Sequence, residues 1–356
     1  MEELDKHRHN IDDIDQKILE LLNKRAKEAM SIGEIKKAAG EPLYVPSREK
    51  KIFERLTGMN SGPFPNDALR SVYREIISAS LSLEEVQKVG YFGPEGTFTN
   101  MAAIKQFGLS ATLVPVRNIP EVFDSVERGR LAFGVVPVEN SLEGVVNHTL
   151  DTFTTSNLKI CGEIYLEISH NLMSKTGKMD GIKEIYSHYQ ALGQCRKWLA
   201  QNCPDIPVHE IDSTAKAAEL AAKDETIAAI SGEAAQLKYG LRVVEKSIED
   251  NPNNFTRFLL IGSYEPLPTG NDKTSIVFSV AHRAGSLYEA LSVLAKENIN
   301  MTKIESRPSR QKAWEYVFFV DVEGHIADNK IKTAIDGLSE HTAFLKVLGS
   351  YPKGEK

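Results

Sequence analysis

From Ile11 to Ile35 the apolar residues Ile11, Ile14, Ile18, Leu21, Leu22, Ala29, Ile32 and Ile35 recur mostly at steps of three and four, with no Pro or Gly before Gly33. That period puts them on one stripe of a long amphipathic helix. Gly40 and Pro42 end it. A shorter helix is predicted over roughly Ser47 to Leu56 with Ser47 as its N-cap, and a third opens at Asn66 or Asp67 and runs to about Gln87. Residues 1–88 therefore read as an all-α domain.

At Gly90 the pattern changes to short β-rich runs, such as Ala132 to Val138, alternating with helical stretches such as Ala215 to Lys223. That alternation predicts an α/β domain over 89–265. The stretch Glu265-Pro266-Leu267-Pro268-Thr269-Gly270-Asn271 reads as a linker. Strand, helix, strand, strand, helix and strand patterns then fill 273–352, which predicts a small α+β ferredoxin-like sandwich. A multidomain chain also follows from its 356 residues, too many for one ordinary core.

With 41% apolar and 26% charged residues the chain has the composition of a folded globular protein. A net charge of -6 argues against nucleic acid as a partner but leaves room for a small anion held by local Arg and Lys. Cys161, Cys195 and Cys203 form no CxxC pair and suggest neither a zinc site nor a disulfide framework. The start, Met1-Glu2-Glu3-Leu4-Asp5-Lys6, lacks an apolar signal core, and no run approaches the roughly 18 apolar residues that span a membrane. A cytoplasmic protein without membrane partners is the expectation.

Arg25 and Lys36 are eleven residues apart on the long helix, within about 20° of one another around its axis and about 16 Å apart along it. Such arms can close over a small dianion, although bare spacing equally describes solvated charges. Arg8 lies seventeen residues before Arg25, so it serves the same site only from a second chain. The words Ile14-Asp15, Arg25, Gly33-Glu34-Ile35-Lys36, Pro42, Ser47-Arg48-Glu49 and Ile76-Ile77-Ser78-Ala79-Ser80 together resemble the all-helical chorismate mutase family over essentially the whole first domain. The resemblance implies that Arg8 of a partner chain, Arg25 and Arg48 bind substrate carboxylates, that Lys36 and residue 84 address the ether oxygen, and that Glu49 holds the hydroxyl. Val45, through its backbone N–H, and Ser80 complete the implied set. Val45 and Glu84 depart from the best-known bacterial pattern, which has Asp and Gln there. A Glu can donate to an ether oxygen only when protonated.

In the second domain Gly93-Pro94-Glu95-Gly96-Thr97-Phe98-Thr99-Asn100 follows a strand and opens a helix, where backbone N–H groups can gather around an anion. It matches neither a phosphate-loop nor a dinucleotide fingerprint, so no cofactor is expected. Glu139 and Glu143 are four apart and His188 titrates near neutrality, but no His and Asp clustering points to a metal. Five words in order, Gly93 to Thr99, Val136 to Ser141 with Glu143-Gly144, Tyr186-Ser187-His188 with Gln190-Ala191-Leu192, Ser213-Thr214-Ala215 and Asn254 to Phe258, resemble the prephenate dehydratase family. That family implies a cleft between two α/β lobes, periplasmic-binding-protein-like, with Thr256 essential. Thr97, Asn140, Ser141, Ser213 and Thr214 are candidates for orienting the substrate. Arg257 can pair either a substrate carboxylate or a structural acid.

In the last domain Gly285-Ser286-Leu287-Tyr288, the stretch Thr302 to Ser309 and Trp314-Glu315-Tyr316 resemble the ACT regulatory domain. There the resemblance implies Phe bound between paired domains, with Gly285, Ser286, Leu287, Glu305, Ser306 and Arg307 as effector residues. The joint expectation is a bifunctional enzyme, a homodimer or higher oligomer, that turns chorismate into prephenate and prephenate into phenylpyruvate under feedback by Phe. A dehydratase preferring arogenate and a non-catalytic amino-acid sensor are the alternatives.

Overall fold

The computed structural model describes residues 2–85, 87–308 and 316–355; Ser309, Trp314 and Glu315 of the effector words lie outside the described residues. Two compact units form: residues 1–88 with 107–112, and residues 89–106 with 113–356. The first unit is helical: α1 (Glu2–Ala39), α2 (Pro46–Met59) and α3 (Asn66–Glu84). Helix α1 extends well beyond its apolar stripe because Glu2, Glu3 and Asp5 complement the positive end of its dipole. It stops at Gly40, which adopts φ +68. Ser47 is not the cap of α2. Val45 holds that position without a side-chain bond, and Pro46 at the first helical position needs none for its missing N–H.

Gly33 is the one buried residue described in α1. A Cβ there would lie 2.8 Å from Glu84 Cγ, so glycine is what lets α1 cross α3 closely. By contrast Ile11, Ile14, Ile18, Leu21, Ile32 and Ile35 are exposed. Segment 107–112 belongs to this unit: the Phe107 ring sits 4.9 Å from that of Tyr44, and the N–H of Leu109 donates to the Glu75 carboxylate.

The second unit begins with a lobe built from β1 (Lys88–Phe92), α4 (Phe98–Phe107), β2 (Thr112–Val116), α5 (Ile119–Glu127), β3 (Phe133–Asn140), β4 (Gly144–Val145), α6 (Asn147–Thr155) and β5 (Lys159–Glu167). The chain then builds a second lobe from β6 (Asn171–Ser174), β7 (Glu184–Ser187), α7 (Tyr189–Gln194), α8 (Arg196–Asn202), β8 (Val208–Glu210), α9 (Thr214–Lys223), β9 (Ile227–Ser231), α10 (Glu233–Tyr239) and β10 (Arg242–Glu245). It returns to the first lobe as β11 (Phe255–Gly262). The first sheet runs β2-β1-β3-β11-β5 with β4 on β3, and the second runs β10-β6-β9-β7-β8. The outgoing and returning crossovers are hydrogen-bonded, Ile168 N–H to Asn254 O and Ile248 N–H to His170 O, each at 2.8 Å. This is the expected two-lobed, periplasmic-binding-protein-like arrangement.

The chain closes with β12 (Asp272–Ser279), α11 (Ser286–Lys296), β13 (Met301–Pro308), β14 (Tyr316–Glu323), α12 (Asn329–Glu340) and β15 (Phe344–Pro352), in sheet order β13-β14-β12-β15. That is the expected ferredoxin-like βαββαβ sandwich. One sheet face packs under its helices through Ile276, Phe278, Val320 and Val322. The other shares a core with the first lobe: Val277, Phe319, Leu348 and Tyr351 meet Ile160, Leu259 and Ile261. A Cβ on Gly349 would stand 2.4 Å from the Ile160 carbonyl oxygen, so only glycine permits that approach. Gly349→Ala is expected to cost about 1–3 kcal/mol, as overpacking typically does. Thermal unfolding checks this, and an unchanged midpoint would contradict the close approach.

Candidate active sites

In the helical unit Arg25 Nη1 donates to Ser80 Oγ at 2.5 Å, and Ser80 donates onward to Ile76 O at 2.7 Å. Lys36 Nζ donates to Leu43 O at 2.8 Å, and Lys37 Nζ to the Glu84 carbonyl at 2.6 Å. Glu84 Oε2 is buried without a hydrogen-bond partner among the described residues. Burial pushes its carboxyl up, and Lys36, Lys37 and Arg25 offset part of that. The fold thus gathers Arg25, Lys36, Ser80 and Glu84 around the α1–α3 crossing.

Glu49 is buried, its carboxyl raised by desolvation against the opposing Arg74 guanidinium at 3.8 Å and a hydrogen bond with Tyr44. Val45 is half-buried at the start of α2, and Arg48 is exposed in its first turn. Arg8 is exposed and bonded to Asp5 at 3.3 Å, about 25 Å along α1 from Arg25. It does not join this cluster. Arg74 and Lys37 were not foreseen, because partners 25 or more residues apart in the chain leave no local spacing to read.

In the cleft unit Thr256 on β11 is the register partner of Asn140 on β3. Asn140 Nδ2 donates to Thr256 Oγ1 at 2.8 Å and to Asn254 Oδ1 at 2.7 Å. Its Oδ1 accepts from the N–H groups of Leu142 and Glu143 at 2.9 and 3.0 Å. Two backbone donors fix which way the amide points, so Thr256 accepts from Asn140 and keeps its own proton for the cleft. The network continues across the crossovers. Asn254 Nδ2 donates to Gln194 Oε1 at 2.8 Å, His170 Nε2 lies 2.8 Å from the same oxygen, and Gln194 Nε2 donates to Glu143 at 3.2 Å. His170 is buried, and desolvation lowers its pKa despite Gln194 and Glu249. Neither His170 nor Gln194 stood out in the sequence, whereas Asn254 lay inside a family word.

The other polar candidates serve the backbone first. Thr97 Oγ1 donates to Pro94 O and accepts from Asn100 N–H, Ser213 caps α9 through Lys216 N–H, and Ser141 bonds the Phe255 N–H and the Asn253 carbonyl. Thr214 is the first residue of α9. The two lobes meet here: a Cβ on Gly96, which adopts φ +87, would stand in ordinary contact with Ala215 and Ala235, and Lys238 bonds Glu95 at 2.7 Å. His188 precedes α7, its ring 4.4 Å from that of Tyr189 and its pKa lowered by burial. For Arg257, a candidate for either a substrate carboxylate or a structural acid, the structure shows the second. Its side chain leaves β11 on the face opposite Thr256 and bonds Glu163 at 2.7 Å, Asp321 at 2.6 Å and Tyr351 at 2.9 Å, so it pairs structural acids and not a substrate carboxylate.

The effector candidates divide between two sheet faces. Gly285, at φ +86, precedes α11; Ser286 donates to Arg283 O at 3.1 Å and Leu287 packs on the helix-side core. On β13, Glu305 and Arg307 pair in register with Phe319 and Val317, on the face turned to the first lobe, while Ser306 alternates to the other. Arg307 is bonded to Asn147 and, at 3.0 Å, to Asp151 of that lobe. A role gripping α6 is therefore what its geometry shows.

Family models match three consecutive segments: chorismate mutase type II over residues 7–85, prephenate dehydratase over 89–266 and the ACT domain over 274–340. The chain is 52% identical over 357 residues to the bifunctional chorismate mutase/prephenate dehydratase of Aquifex aeolicus, covering 99% of both. It is 44% identical over 349 residues to that of Neisseria gonorrhoeae, covering 97% of this chain and 96% of the relative. The solved prephenate dehydratase of Arthrobacter aurescens in complex with L-Phe superposes with a TM-score of 0.70 at 34% identity, over 74% of this chain and 90% of that one. The chain belongs to the bifunctional chorismate mutase/prephenate dehydratase family.

Proposed function

We propose that the helical unit rearranges chorismate to prephenate, that the two-lobed cleft converts prephenate to phenylpyruvate, and that Phe acts through the ACT domain as effector. The rearrangement is pericyclic and needs no nucleophile, only a folded diacid and stabilisation of the departing ether oxygen. Arg25 and Arg48 hold carboxylates, Glu49 the hydroxyl, and Lys36 with protonated Glu84 the ether oxygen. Three to five charge-assisted hydrogen bonds that strengthen in the transition state, at about 1.5–3 kcal/mol each, span roughly 4.5–15 kcal/mol, a range that includes the ~8 kcal/mol at the lower end of enzymic acceleration.

In the cleft the substrate's ring carboxylate leaves as CO2, its bonding pair enters the ring, and the ring C–O bond breaks. The leaving oxygen takes a proton and departs as water. The observation that carries this reading is the Asn140 amide donating to Thr256, which leaves the Thr256 proton to bond the leaving oxygen as charge develops there. A threonine hydroxyl is too weak an acid to be the net proton source, so the proton comes through solvent or a neighbour. Thr97, Ser141, Ser213 and Thr214, beside the Thr256–Asn140 pair in the proposal, orient the substrate.

A second copy of the chain is part of the proposal. The apolar stripe of α1 is exposed, and Arg8 on the same helix reaches an Arg25 site only across a dimer. Among the described residues no helix is long and apolar enough to cross a membrane. The three cysteines are free and buried, as suits the reducing cytoplasm.

Thr256→Ala is expected to lower dehydratase kcat by about 10²–10³ and let prephenate accumulate. Arg25→Ala is expected to lower mutase kcat/KM by at least about tenfold while supplied prephenate is still converted; ultraviolet assays of both substrates decide, and loss of both activities in either variant would contradict two separate sites. Because burial raises the Glu84 carboxyl, it stays protonated where an ordinary Glu is ionised and loses its proton as pH climbs through the raised value. Mutase kcat/KM is thus expected to fall with rising pH and to become flat in Glu84→Gln; a flat wild-type profile would refute the protonated donor. Finally, Arg8→Ala and Arg25→Ala chains, each lowered in mutase activity alone, are expected to recover activity when mixed and refolded, and no recovery would show that Arg8 does not act across chains.

A further inference from the structure

The catalytic strand β11 is held from behind by the regulatory domain. Thr256 and Asn140 form one register pair and face the cleft; Arg257 and Glu139 form the next pair and face the ACT sheet. Behind them lie three cations, Arg257, Lys273 and Lys303, and three anions, Glu139, Glu163 and Asp321. Arg257 bonds Glu163 and Asp321, Lys273 bonds Glu163 at 2.9 Å, and Lys303 bonds Glu139. Ser275 donates to Asp321 at 2.5 Å and lies 2.6 Å from the Tyr351 hydroxyl, which accepts from Arg257. The dehydratase lobe contributes Arg257, Glu139 and Glu163, and the ACT domain contributes Lys273, Lys303 and Asp321. Neither set is balanced alone, and a buried charge without its partner is costly. Burial raises the Asp321 carboxyl, but the Arg257 guanidinium and the Ser275 hydroxyl outweigh it and keep the group ionised.

The position of this cluster gives it leverage. The β3–β11 register shifts between Arg257 and Phe258, beside the Thr256–Asn140 pair, and such irregularities aim neighbouring side chains. Strand β13 carries Lys303 onto Glu139 and Arg307 onto α6, so a displacement of that strand is applied one residue from Asn140. Packed ionic clusters of this kind exchange between discrete arrangements instead of deforming smoothly.

We propose that Arg257, Asp321 and Lys303 are positioning residues for the dehydration step: the ACT sheet, through Asp321 on Arg257 and Lys303 on Glu139, sets the Asn140–Thr256 hydrogen bond, and effector binding acts by loosening that grip. This rests on the dehydratase reading above. None of the three touches the substrate, so their loss changes kcat and effector response and leaves KM for prephenate in place.

The experiment uses the full chain with Asp321→Asn and, as the milder change at an edge strand, Lys303→Gln. Dehydratase and mutase kinetics, Phe inhibition, Phe binding by calorimetry and thermal unfolding are measured for both. In folded Lys303→Gln the expected result is a dehydratase kcat lowered with KM unchanged, mutase kinetics as in wild type, and Phe bound normally while its inhibition weakens by about tenfold. Asp321→Asn is expected to do the same more strongly, or to unfold the second unit, in which case Lys303→Gln decides. Wild-type kcat and wild-type Phe inhibition in Lys303→Gln would overturn the proposal, as would a raised KM with unchanged kcat. If wild type itself neither converts prephenate nor binds Phe, the functional reading fails instead, and that outcome is visible before any variant is compared.

Discussion

Successive side chains of a β-strand leave on opposite faces, and at Thr256-Arg257 this alternation places the hydroxyl proposed to bond the leaving oxygen and a buried guanidinium back to back. Everything in the second unit is arranged around that strand. The chain leaves the first sheet after β5, builds a second lobe and returns as β11 between β3 and β5, so both crossovers and the cleft are laid against it. Hydrogen bonds from Asn140, Asn254 and Gln194 define its front, and ion pairs to the ACT sheet define its back. A catalytic hydroxyl needs positioning to a fraction of an ångström. A strand packed on both faces provides that in a way a loop does not.

The helical unit solves a different problem with a similar device. Its reaction asks for charge and shape, and both converge where α1 crosses α3 at Gly33. The close crossing buries one Glu84 oxygen without a partner among the described residues, so the same packing that assembles the cationic face also favours the protonated carboxyl that can donate. In each unit the proposed hydrogen-bond donor is one whose surroundings favour donation. For Thr256 the surrounding group is an amide of fixed orientation, and for Glu84 it is a dry crossing with cations nearby.

Architecture was legible from periodicity. The steps of three and four along α1, the β-rich runs after Gly90 and the βαββαβ pattern of the last domain all correspond to observed elements, because each rests on which face of an element meets a core. Ends were less legible: Ser47 has the chemistry of a cap, but Pro46 already starts α2 and leaves it inside the first turn. Among the candidate residues, helical spacing puts Arg25 and Lys36 on one face, but family words single them out, as they do Asn140 and Thr256. What escaped was everything decided by distant partners. Arg257 had two possible partners, and only the fold shows Asp321 and Glu163 beside it. His170 and Gln194 sit on separate elements and gain meaning from a shared hydrogen bond.

One strand is thus proposed to carry catalysis on its front and regulation on its back. Hydrogen–deuterium exchange of the full chain, with and without Phe, tests it most directly. Phe is expected to change protection in peptides covering β11 around Thr256 and β3 around Asn140 as well as in the ACT sheet. Changes confined to the ACT domain, with both dehydratase strands unaffected under inhibiting Phe, would contradict it.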